Sequence, residues 1–297
     1  MTGQLVTGQH QGPLVALLAS VVRADERRLL DALRQRGARH EQVDTRTLWA
    51  GPDGPPPPWR CVLNREIGQV RAAYAARSLE ALGVPVLNSA AATEVCGDKW
   101  RTSLALAAAS LPAPRTALGL TPAAALAALA QIGYPAVVKP LVGSWGRLIA
   151  ELRDEDMAAS LFEYVAALPG PQSHIVYVQE LIDKPGRDIR AIVVGGEVLG
   201  AVYREAAGLR TNVARGAHTR PCPQDAEIGK LAAAAAAATG ADIAAVDLIE
   251  DADGRILVLE VNHRVEFSGF EAALGDRVDV AGAIADHLLD RAGSWSR

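Results

Sequence analysis

The sequence has few aromatic residues, few cysteines and no excess of positive charge. Phe, Trp and Tyr make up 4% of the 297 residues, and the net charge is −4 at pH 7. An acidic balance disfavours general binding to nucleic acids or anionic membranes, so we expect neither as a partner. Cys61, Cys96 and Cys222 are odd in number and widely spaced, so neither a disulfide framework nor a zinc site is indicated. Reduced thiols of this kind are typical of a cytoplasmic protein.

Patterns that direct a chain to a membrane are also missing. The first residues, MTGQLVTGQHQGP, lack a basic segment followed by a long apolar one and do not predict a signal peptide. The alanine-rich run LAAAAAAATG at 231–240 is too short to span a bilayer. We interpret it as a helix that ends at Gly240. Neither of the common nucleotide motifs, GxxxxGK[ST] and GxGxxG, occurs.

Strands and helices alternate in the first third of the chain. LVALLAS at 14–20 predicts a buried strand, and ADERRLLDALRQRG predicts a helix that stops at Gly37. The run of four consecutive prolines in GPDGPPPPW indicates a loop at 51–59. A second helix, QVRAAYAARSLEALG, leads into the short strand VPVLN. Residues 1–95 are therefore predicted to form a small parallel α/β lobe.

The remainder of the chain is richer in strands. A helix at about 98–112 precedes TPAAALAALAQIG, where Thr121 suits the N-cap, Pro122 the first helical position and Gly133 the exit. Strands are predicted at YPAVVKP, SHIVYVQELI, RDIRAIVVGGEVLGAVYR, DIAAVDLIE and RILVLEVN, with hairpin turns at GG and DADG. The fold class is mixed α/β.

The last predicted hairpin places oxygen-bearing side chains on one face. Side chains alternate along a strand, so Glu260 and Asn262 point the same way. Asp247 on the partner strand joins them if the register allows it. Two carboxylates and an amide oxygen suit magnesium, which completes its shell with water and phosphate oxygens. An edge strand whose polar side chains meet water is the alternative.

The register of this hairpin decides whether Asp247 takes part. A facing pair of Glu250 and Arg255 would put Asp247 opposite Val258, on the face of Glu260. A slip of one residue would turn Asp247 to the other face. The predicted magnesium site therefore depends on the register.

Three other segments have the composition of phosphate or carboxylate contacts. VVKPLVGSWGR at 137–147 ends a strand with Lys139, and its glycines let backbone N–H groups approach phosphate, although a plain hairpin fits the same residues. YVQELIDKPGRDIR at 177–190 is a strand followed by a turn dense in charge. YREAAGLRTNVARGA at 203–217 is irregular and basic, which suits planar anions or a solvated loop. Its candidates are Arg204, Arg210, Asn212 and Arg215.

Taken together and in this order, these segments resemble the ATP-grasp superfamily. The resemblance rests on DKW (98–100), VVKP, the glycine-rich loop, VQELI, GRDIR, TNVARGA, the aspartate of AVDLIE and the closing LEVN. The chain is similar to the ribosomal-protein glutamate ligases and, more closely, to ligases that load an amino acid onto an amino-group carrier protein. GSWGR, KPGRDIR, TNVARGA and EVNHRVEF look like that group's signatures, and AARSLEALGVPVLN extends the resemblance into the first lobe.

The resemblance implies an ATP-grasp fold of three lobes, with ATP between the last two. The predicted lobes are 1–95 (preATP-grasp), 96–182 (small central lobe) and 183–297 (C-terminal lobe). It also implies ATP and two Mg²⁺ ions as cofactors, a cytoplasmic location, and a homodimer or homotetramer.

The resemblance further assigns roles to individual positions. Lysines are expected to contact ATP phosphates, a flexible loop to close over them, hinge backbone groups to read adenine, and two residues to meet the ribose and phosphate end. The expected phosphate contacts are Lys99 and Lys139, and the loop expected to close over the phosphates is Gly143, Ser144, Trp145, Gly146 and Arg147. The expected adenine contacts are Gln179, Glu180 and Ile182. Asp188 and Arg190 are expected at the ribose and phosphate end, and Asn212 is a further expected nucleotide contact. The expected metal ligands are Asp247, Glu260 and Asn262. The expected substrate contacts are Arg204, Val213, Ala214, His263, Glu266, Phe267, Gly269 and Phe270.

The implied reaction has two steps. The side-chain carboxylate of the C-terminal glutamate of a small acidic carrier protein attacks the γ-phosphate of ATP, giving an acylphosphate and ADP. The α-amine of a free amino acid then attacks the acyl carbon and releases phosphate. Positioning and charge neutralisation supply most of the catalysis. Arg204 and Arg215 are expected to stabilise carboxylate or acylphosphate oxygens.

The acceptor amino acid is predicted from SGF at 268–270, which resembles the Gly-Phe pair of the group that selects glutamate over α-aminoadipate. These acids differ by one methylene, worth about 1–3 kcal/mol to a pocket, and a bulky Phe270 would exclude the longer one. The alternative is that Phe270 packs into the core.

Other functions stay open. EAALGDRVDV after Phe270, and Arg264 after His263, depart from the family pattern, so a related amino acid of a secondary pathway is an alternative acceptor. A glutamate ligase acting on a ribosomal protein or peptide, and a non-catalytic nucleotide-binding scaffold, are further alternatives.

Overall fold

The structure, a computed structural model, describes residues 12–143, 148–205, 218–223 and 225–294. Their contacts divide them into two compact units. One unit comprises the residues up to Ala90 together with those from Asp279 onward, and the other runs from Ala91 to Val278. Of the helices in the described ranges, none combines the length and apolar character that crossing a bilayer requires. Cys61, Cys96 and Cys222 are buried free thiols.

The first unit contains the predicted parallel sheet. Its strands, in the spatial order β2-β1-β3-β4, are β1 (Val15–Leu18), β2 (His40–Val43), β3 (Cys61–Asn64) and β4 (Val86–Leu87). All neighbouring strands are parallel. Strands β1 and β3 are fully buried, as expected of a parallel sheet covered on both faces. The polar β2 and the short β3 were not predicted, because neither shows a clear alternation of apolar residues.

The described part of the first unit contains three helices. They are α1 (Ala24–Gln35), α2 (Gln69–Ala81) and α9 (Val280–Ser294). Helix α9 contacts α1, β1 and β3. Arg36, just after α1, donates from Nη2 to Asp286 Oδ2 of α9 at 2.7 Å. These contacts group the end of the chain with its beginning, whereas the three-lobe prediction gives α9 to the C-terminal lobe; that division stays a prediction.

The second unit contains a small antiparallel sheet in the order β5-β8-β6-β7. Its strands are β5 (Thr116–Gly119), β6 (Ala136–Lys139), β7 (Ala150–Leu152) and β8 (Val176–Glu180), and its helices are α5 (Pro122–Ile132) and α6 (Glu155–Ala166). Helix α5 begins as predicted, because Thr121 Oγ1 accepts a hydrogen bond from the N–H of Ala124 at 3.2 Å. It ends at Gly133, whose φ is 88°.

A larger antiparallel sheet, in the order β11-β10-β9-β12-β13, forms the rest of this unit. Its strands are β9 (Arg187–Val194), β10 (Glu197–Glu205), β11 (His218–Pro221), β12 (Ile243–Glu250) and β13 (Ile256–Asn262). The predicted turn joins β9 to β10, since Gly195 and Gly196 have φ of 59° and 88°. The alanine-rich helix α7 (Ala226–Thr239) covers one face and ends at Gly240, as predicted. The remaining helices are α3 (Ala90–Cys96), α4 (Lys99–Ala108) and α8 (Ser268–Leu274).

The predicted register of the β12–β13 hairpin is wrong. Asp247 lies opposite Glu260 and not opposite Val258. The turn is one residue shorter than predicted, because Asp251 and Arg255 close it: the N–H of Asp251 donates to the Arg255 carbonyl at 3.0 Å. This change alone would turn Asp247 to the opposite face of the sheet.

A β-bulge restores the face of Asp247. The pairing shifts by one more residue between Asp247 and Leu248, because Leu259 is an extra residue in β13. Two shifts of one residue add up to two, and side chains alternate with a period of two. Asp247 therefore shares a face with Glu260 and Asn262 after all, through a register that the sequence pattern did not predict.

Candidate functional site

Lys99 is positioned by the cap of helix α4. Asp98 is the N-cap, and its Oδ1 accepts from the N–H of Trp100 at 2.9 Å and from that of the next residue at 3.1 Å. The cap makes Lys99 the first helical residue, and its N–H donates to the Leu141 carbonyl at 3.0 Å. The DKW motif therefore fixes a lysine beside the glycine-rich segment.

The ammonium of Lys99 connects that segment to a candidate metal ligand. Its Nζ donates to the Gly143 carbonyl at 2.9 Å and lies 3.5 Å from Glu260 Oε1. Gly143 has a φ of 71°, a conformation that favours glycine. Lys99 and Glu260 thus meet where the resemblance expects phosphate and metal contacts.

Lys139 lies at the end of β6, close to the same carboxylate. Its Nζ donates to Gln179 Oε1 at 2.5 Å. Burial lowers the pKa of Lys139 to about 8; Glu260 opposes this shift, whereas Lys99 and Lys184 add to it. The ammonium is therefore easily neutralised unless a further anion approaches it.

The side chain of Gln179 binds Lys139, a contact that the sequence did not predict. Its neighbours in the expected adenine hinge also have partners: the N–H of Glu180 donates to the Arg115 carbonyl at 2.9 Å, and that of Leu181 to the Pro135 carbonyl at 3.2 Å. These two N–H groups are therefore not among those that would read a base. The expected roles of Gln179, Glu180 and Ile182 at adenine stay predictions.

Asp247 is buried in the centre of the larger sheet and held by arginines. Arg190 lies directly opposite on β9 and donates to both carboxylate oxygens, at 2.8 and 2.9 Å. Nη2 of Arg204 lies 3.1 Å from Asp247 Oδ2. Asn262 Nδ2 donates to the same oxygen at 3.4 Å. The paired strands thereby bring four predicted site residues into contact.

Asp188 extends this network along the sheet. It lies opposite Arg204, whose Nε donates to Asp188 Oδ1 at 2.6 Å. Lys184 Nζ lies 3.9 Å from Asp188 Oδ2. Asp188 and Arg190, expected at the ribose and phosphate end, thus belong to one ion network with the candidate metal ligand Asp247.

The network holds Asp247 and Arg204 in their charged forms. Burial acts to raise the pKa of Asp247, but Arg190 and Arg204 outweigh it, and the pKa is lowered. Burial acts to lower the pKa of Arg204, but Asp247 and Asp188 outweigh it and raise the pKa above its usual value. Arg204 is therefore a permanently charged group held in place by two carboxylates.

The donor set fits a hard divalent cation in its chemistry. Within the described ranges no group of three or more Asp, Glu, His or Cys side chains is arranged so that it could hold a metal ion. The candidate set instead combines the carboxylates of Asp247 and Glu260 with the amide of Asn262, which are ligands that magnesium accepts. Both oxygens of Asp247 accept hydrogen bonds from arginine. For Asp247 to bind a metal, an arginine would have to give up a contact, whereas Glu260 lies 3.5 Å from the ammonium of Lys99.

The predicted acceptor segment follows β13 directly. Phe267 is fully buried and precedes α8, and Phe270 on the first turn of that helix is buried as well. Gly269 is exposed, and His263 and Glu266 are partly exposed. Arg264 Nη1 donates to Glu266 Oε1 at 3.3 Å.

Phe270 packs against strand β10. A Cβ added to Gly200 would lie 3.6 Å from Phe270 Cζ and 3.2 Å from Leu274 Cδ1, and the φ of Gly200 is +152°. The backbone conformation therefore favours glycine, and an added side chain would be tight against Leu274. This contact supports the packing alternative for Phe270, and its role in choosing the acceptor stays a prediction.

Part of the predicted site lies outside the described residues. These positions are Ser144, Trp145, Gly146, Arg147, Arg210, Asn212, Val213, Ala214 and Arg215.

Sequence analysis missed three residues of the site. Lys184 lies in the charge-dense turn and could have been selected from its position beside Asp188. The hydroxyl groups of Tyr177 and Ser103 lie 3.0 Å apart, and that of Ser103 donates to the carbonyl of Lys99. They occur within an apolar strand and an alanine-rich helix, so no local pattern marks them.

Comparison with known proteins gives consistent matches over nearly the whole chain. Residues 96–288 match the RimK-like ATP-grasp domain, and residues 15–95 match the LysX preATP-grasp domain. The glutamate–LysW ligase ArgX of Sulfolobus acidocaldarius is 29% identical over 92% of this chain and 97% of its own length. The alpha-aminoadipate–LysW ligase LysX of Saccharolobus solfataricus is 32% identical over 78% of this chain and 83% of its own. The crystal structure of a RimK domain ATP-grasp protein from Sphaerobacter thermophilus has a TM-score of 0.78 and 31% identity, covering 93% of this chain and 99% of that one.

Proposed function

This chain belongs to the RimK-like ATP-grasp family, and from that premise we propose that it joins glutamate to an amino-group carrier protein. The predicted resemblance and mixed α/β fold class are confirmed. The chain is an ATP-dependent carboxylate–amine ligase. The identity of the two substrates is our proposal, and it is supported by relatives named as LysW ligases.

The observation that carries the proposal is the convergence of two lysines on one acidic strand end. Lys99 Nζ lies 3.5 Å from Glu260, and the charge of Glu260 also acts on Lys139. Glu260 in turn faces Asp247 across the hairpin. Cations beside hard oxygen ligands are what the phosphates of a metal-bound nucleotide require.

In this proposal the residues of the chain position the reactants. Lys99 and Lys139 bind phosphate oxygens, and Asp247, Glu260 and Asn262 hold Mg²⁺. Bound Mg²⁺ neutralises phosphate charge that would repel an incoming carboxylate. Arg204, fixed by Asp188 and Asp247, presents a permanent positive charge on the same face of the sheet, which suits a carboxylate or an acylphosphate.

The acceptor is proposed to be glutamate, with α-aminoadipate as the second candidate. The ArgX relative, named for glutamate, aligns over 97% of its length, and the LysX relative, named for α-aminoadipate, is similar at 32% identity. The Gly269-Phe270 pair favours glutamate. We further propose that the carrier is a small acidic protein ending in Glu, that the ligase is a cytoplasmic homodimer or homotetramer, and that the fold divides into three lobes.

Release of ADP tests the proposal. The purified chain would be given ATP and Mg²⁺ with glutamate or α-aminoadipate, each with and without a carrier protein that ends in Glu. We expect ADP with the carrier and glutamate, and much less with α-aminoadipate. Equal ADP release without the carrier would contradict the carrier proposal and favour a ligase for another substrate. No ADP under any of these conditions would favour a nucleotide-binding scaffold.

A further inference from the structure

A line of hydrogen bonds connects the two candidate phosphate lysines. Lys139 Nζ donates to Gln179 Oε1 at 2.5 Å, and Gln179 Nε2 donates to the Tyr177 hydroxyl at 3.1 Å. The Tyr177 hydroxyl lies 3.0 Å from Ser103 Oγ. Ser103 Oγ donates to the carbonyl of Lys99 at 2.9 Å. The line therefore begins on one lysine's ammonium and ends on the other lysine's backbone.

The two ends of this line fix the direction of every hydrogen bond. An ammonium can only donate, so the amide oxygen of Gln179 faces Lys139 and its NH₂ group faces Tyr177. A carbonyl can only accept, so the proton of Ser103 is used at Lys99. The Tyr177 hydroxyl must then donate to Ser103. Gln179, Tyr177 and Ser103 each accept one hydrogen bond of the line and donate the next, and a flipped amide would set a donor against the ammonium.

The middle of the line is shielded from water. Tyr177 is 2% exposed and Gln179 3% exposed, and both point to the same face of β8. Burial raises the pKa of Tyr177 to about 12, so its hydroxyl keeps the proton that it donates. Helix α4, which carries Ser103 and Lys99, also contacts α7 and β13. The line thus joins the small sheet to a helix that packs on the elements of the larger sheet.

We propose that Tyr177 and Ser103 are positioning residues that hold Lys139 and the first turn of α4 in a fixed relation, so that both lysines contact the phosphates of one nucleotide. Neither Tyr177 nor Ser103 is proposed to contact the nucleotide itself. The inference rests on the proposed role of the two lysines. It explains how Lys139 is held in one orientation: one of its three N–H donors binds Gln179, which the line of hydrogen bonds fixes in turn.

Tyr177→Phe tests the line with the smallest change. It removes the hydroxyl and keeps the ring, so Gln179 loses its acceptor and Ser103 loses its donor. We expect the Kd for ADP, measured by calorimetry, and the KM for ATP to rise about five- to tenfold, with the KM for the amino acid unchanged. Ser103→Ala should raise the same two constants.

Val178→Ala is the matched control. Val178 is fully buried on the same strand but packs with the core beneath α5 and α6, away from the line. It should lower the melting temperature and leave the Kd for ADP unchanged. If Tyr177→Phe behaved in the same way, its role would be structural and the proposal would be overturned.

The double variant Tyr177→Phe/Ser103→Ala tests whether the two hydroxyls act as one unit. We expect its Kd for ADP to be close to that of the single variant that binds ADP more weakly, because one break already interrupts the line. Fully additive effects would overturn the proposal. ADP binding needs neither the amino acid nor the carrier, so an error in those substrates would not affect this result. A wild-type chain that bound no ADP would overturn the proposed function, and this inference with it.

Discussion

Each unit of the molecule buries charged side chains, and the two clusters differ in their balance of charge. In the first unit, the anchor cluster consists of Glu26, Arg65, Glu66 and Arg71. Arg65 pairs with Glu26 at 2.9 Å, with 3% and 1% of the two side chains exposed. Two cations meet two carboxylates, so this set is neutral as a whole.

Glu66 of the anchor cluster connects loops that follow three parallel strands. Its oxygens accept from the N–H of Ser20 at 3.1 Å, from the hydroxyl of Thr45 and from the N–H of Gly68 at 2.9 Å. These hydrogen bonds and Arg71 keep the pKa of Glu66 below its usual value, although burial opposes them. Its partners come from the protein itself, which is typical of a structural group.

The second unit contains the site cluster, in which cations outnumber carboxylates. Its members are Lys99, Lys139, Lys184, Arg190 and Arg204, with Asp188, Asp247 and Glu260. Five cations face three carboxylates. Burial is the main cause of the lowered pKa of Lys139, and the charges of Lys99 and Lys184 add to the shift. An excess of buried positive charge is unfavourable by itself and becomes favourable when an anion binds.

From this difference we infer a structural use of the anchor cluster, in contrast to the ligand-binding use proposed for the site cluster. Substitutions in the anchor cluster, whose charges balance, should lower the stability of the protein. Substitutions in the site cluster, whose charges do not balance, should change the affinity for phosphate. Burial alone would not distinguish them, since both contain side chains less than a tenth exposed.

Breaking the anchor cluster should have the largest effect, and it should act on stability. Arg65→Met leaves Glu26 buried without its charged partner. We expect the free energy of unfolding, measured with urea, to fall by about 3–5 kcal/mol, with the KM for ATP of the folded protein unchanged. Adding Glu26→Gln should recover part of the loss. A shift in the KM for ATP without loss of stability would contradict a structural role for the anchor cluster.

Glu260→Gln should have the next largest effect, and it should act on catalysis. The substitution keeps the shape of the side chain and removes the charge that faces Lys99. We expect ligation, measured as ADP release, to fall about 100-fold or more, with little change in melting temperature. Normal ATP-dependent ligation by this variant would show that Glu260 holds no metal.

The affinity of the site cluster for ADP should depend on pH through Lys139. Its pKa in the free protein is about 8, and bound phosphate would favour the charged form. Affinity should therefore be greatest below pH 8 and fall about fivefold between pH 8 and pH 9. Lys139→Arg should remove most of this fall, because guanidinium stays charged. The Kd for ADP across this range would be measured by calorimetry, and a flat profile for the wild-type protein would count against a phosphate contact by Lys139.

The smallest expected effect concerns the acceptor. Phe270→Leu should raise kcat/KM for α-aminoadipate relative to glutamate about five- to tenfold, because a smaller side chain lengthens the pocket. Leu274→Ala, which changes the same contact with Gly200, is the control for lost packing. Unchanged selectivity in Phe270→Leu would leave packing as the role of Phe270.

The sequence predicted several residues that the structure brings together, but it did not predict the contacts between them. The alternation of side chains placed Glu260 and Asn262 on one face, and the order of the motifs added Lys99, Lys139 and Asp247. The contacts of Lys139 with Gln179, and of Asp247 with Arg190, join elements far apart in the chain. No local pattern contains such a pairing, because it depends on which strands become neighbours.

By itself the sequence determined the features that depend on a few adjacent residues. The cap at Thr121, the glycine turn at 195–196 and the end of α7 at Gly240 follow from local backbone chemistry. Only the tertiary structure decided that Asp247 meets Glu260, through a shorter turn and a compensating bulge. The reason is that a strand's register is selected by the whole sheet, where burying one face outweighs the preference of any single turn.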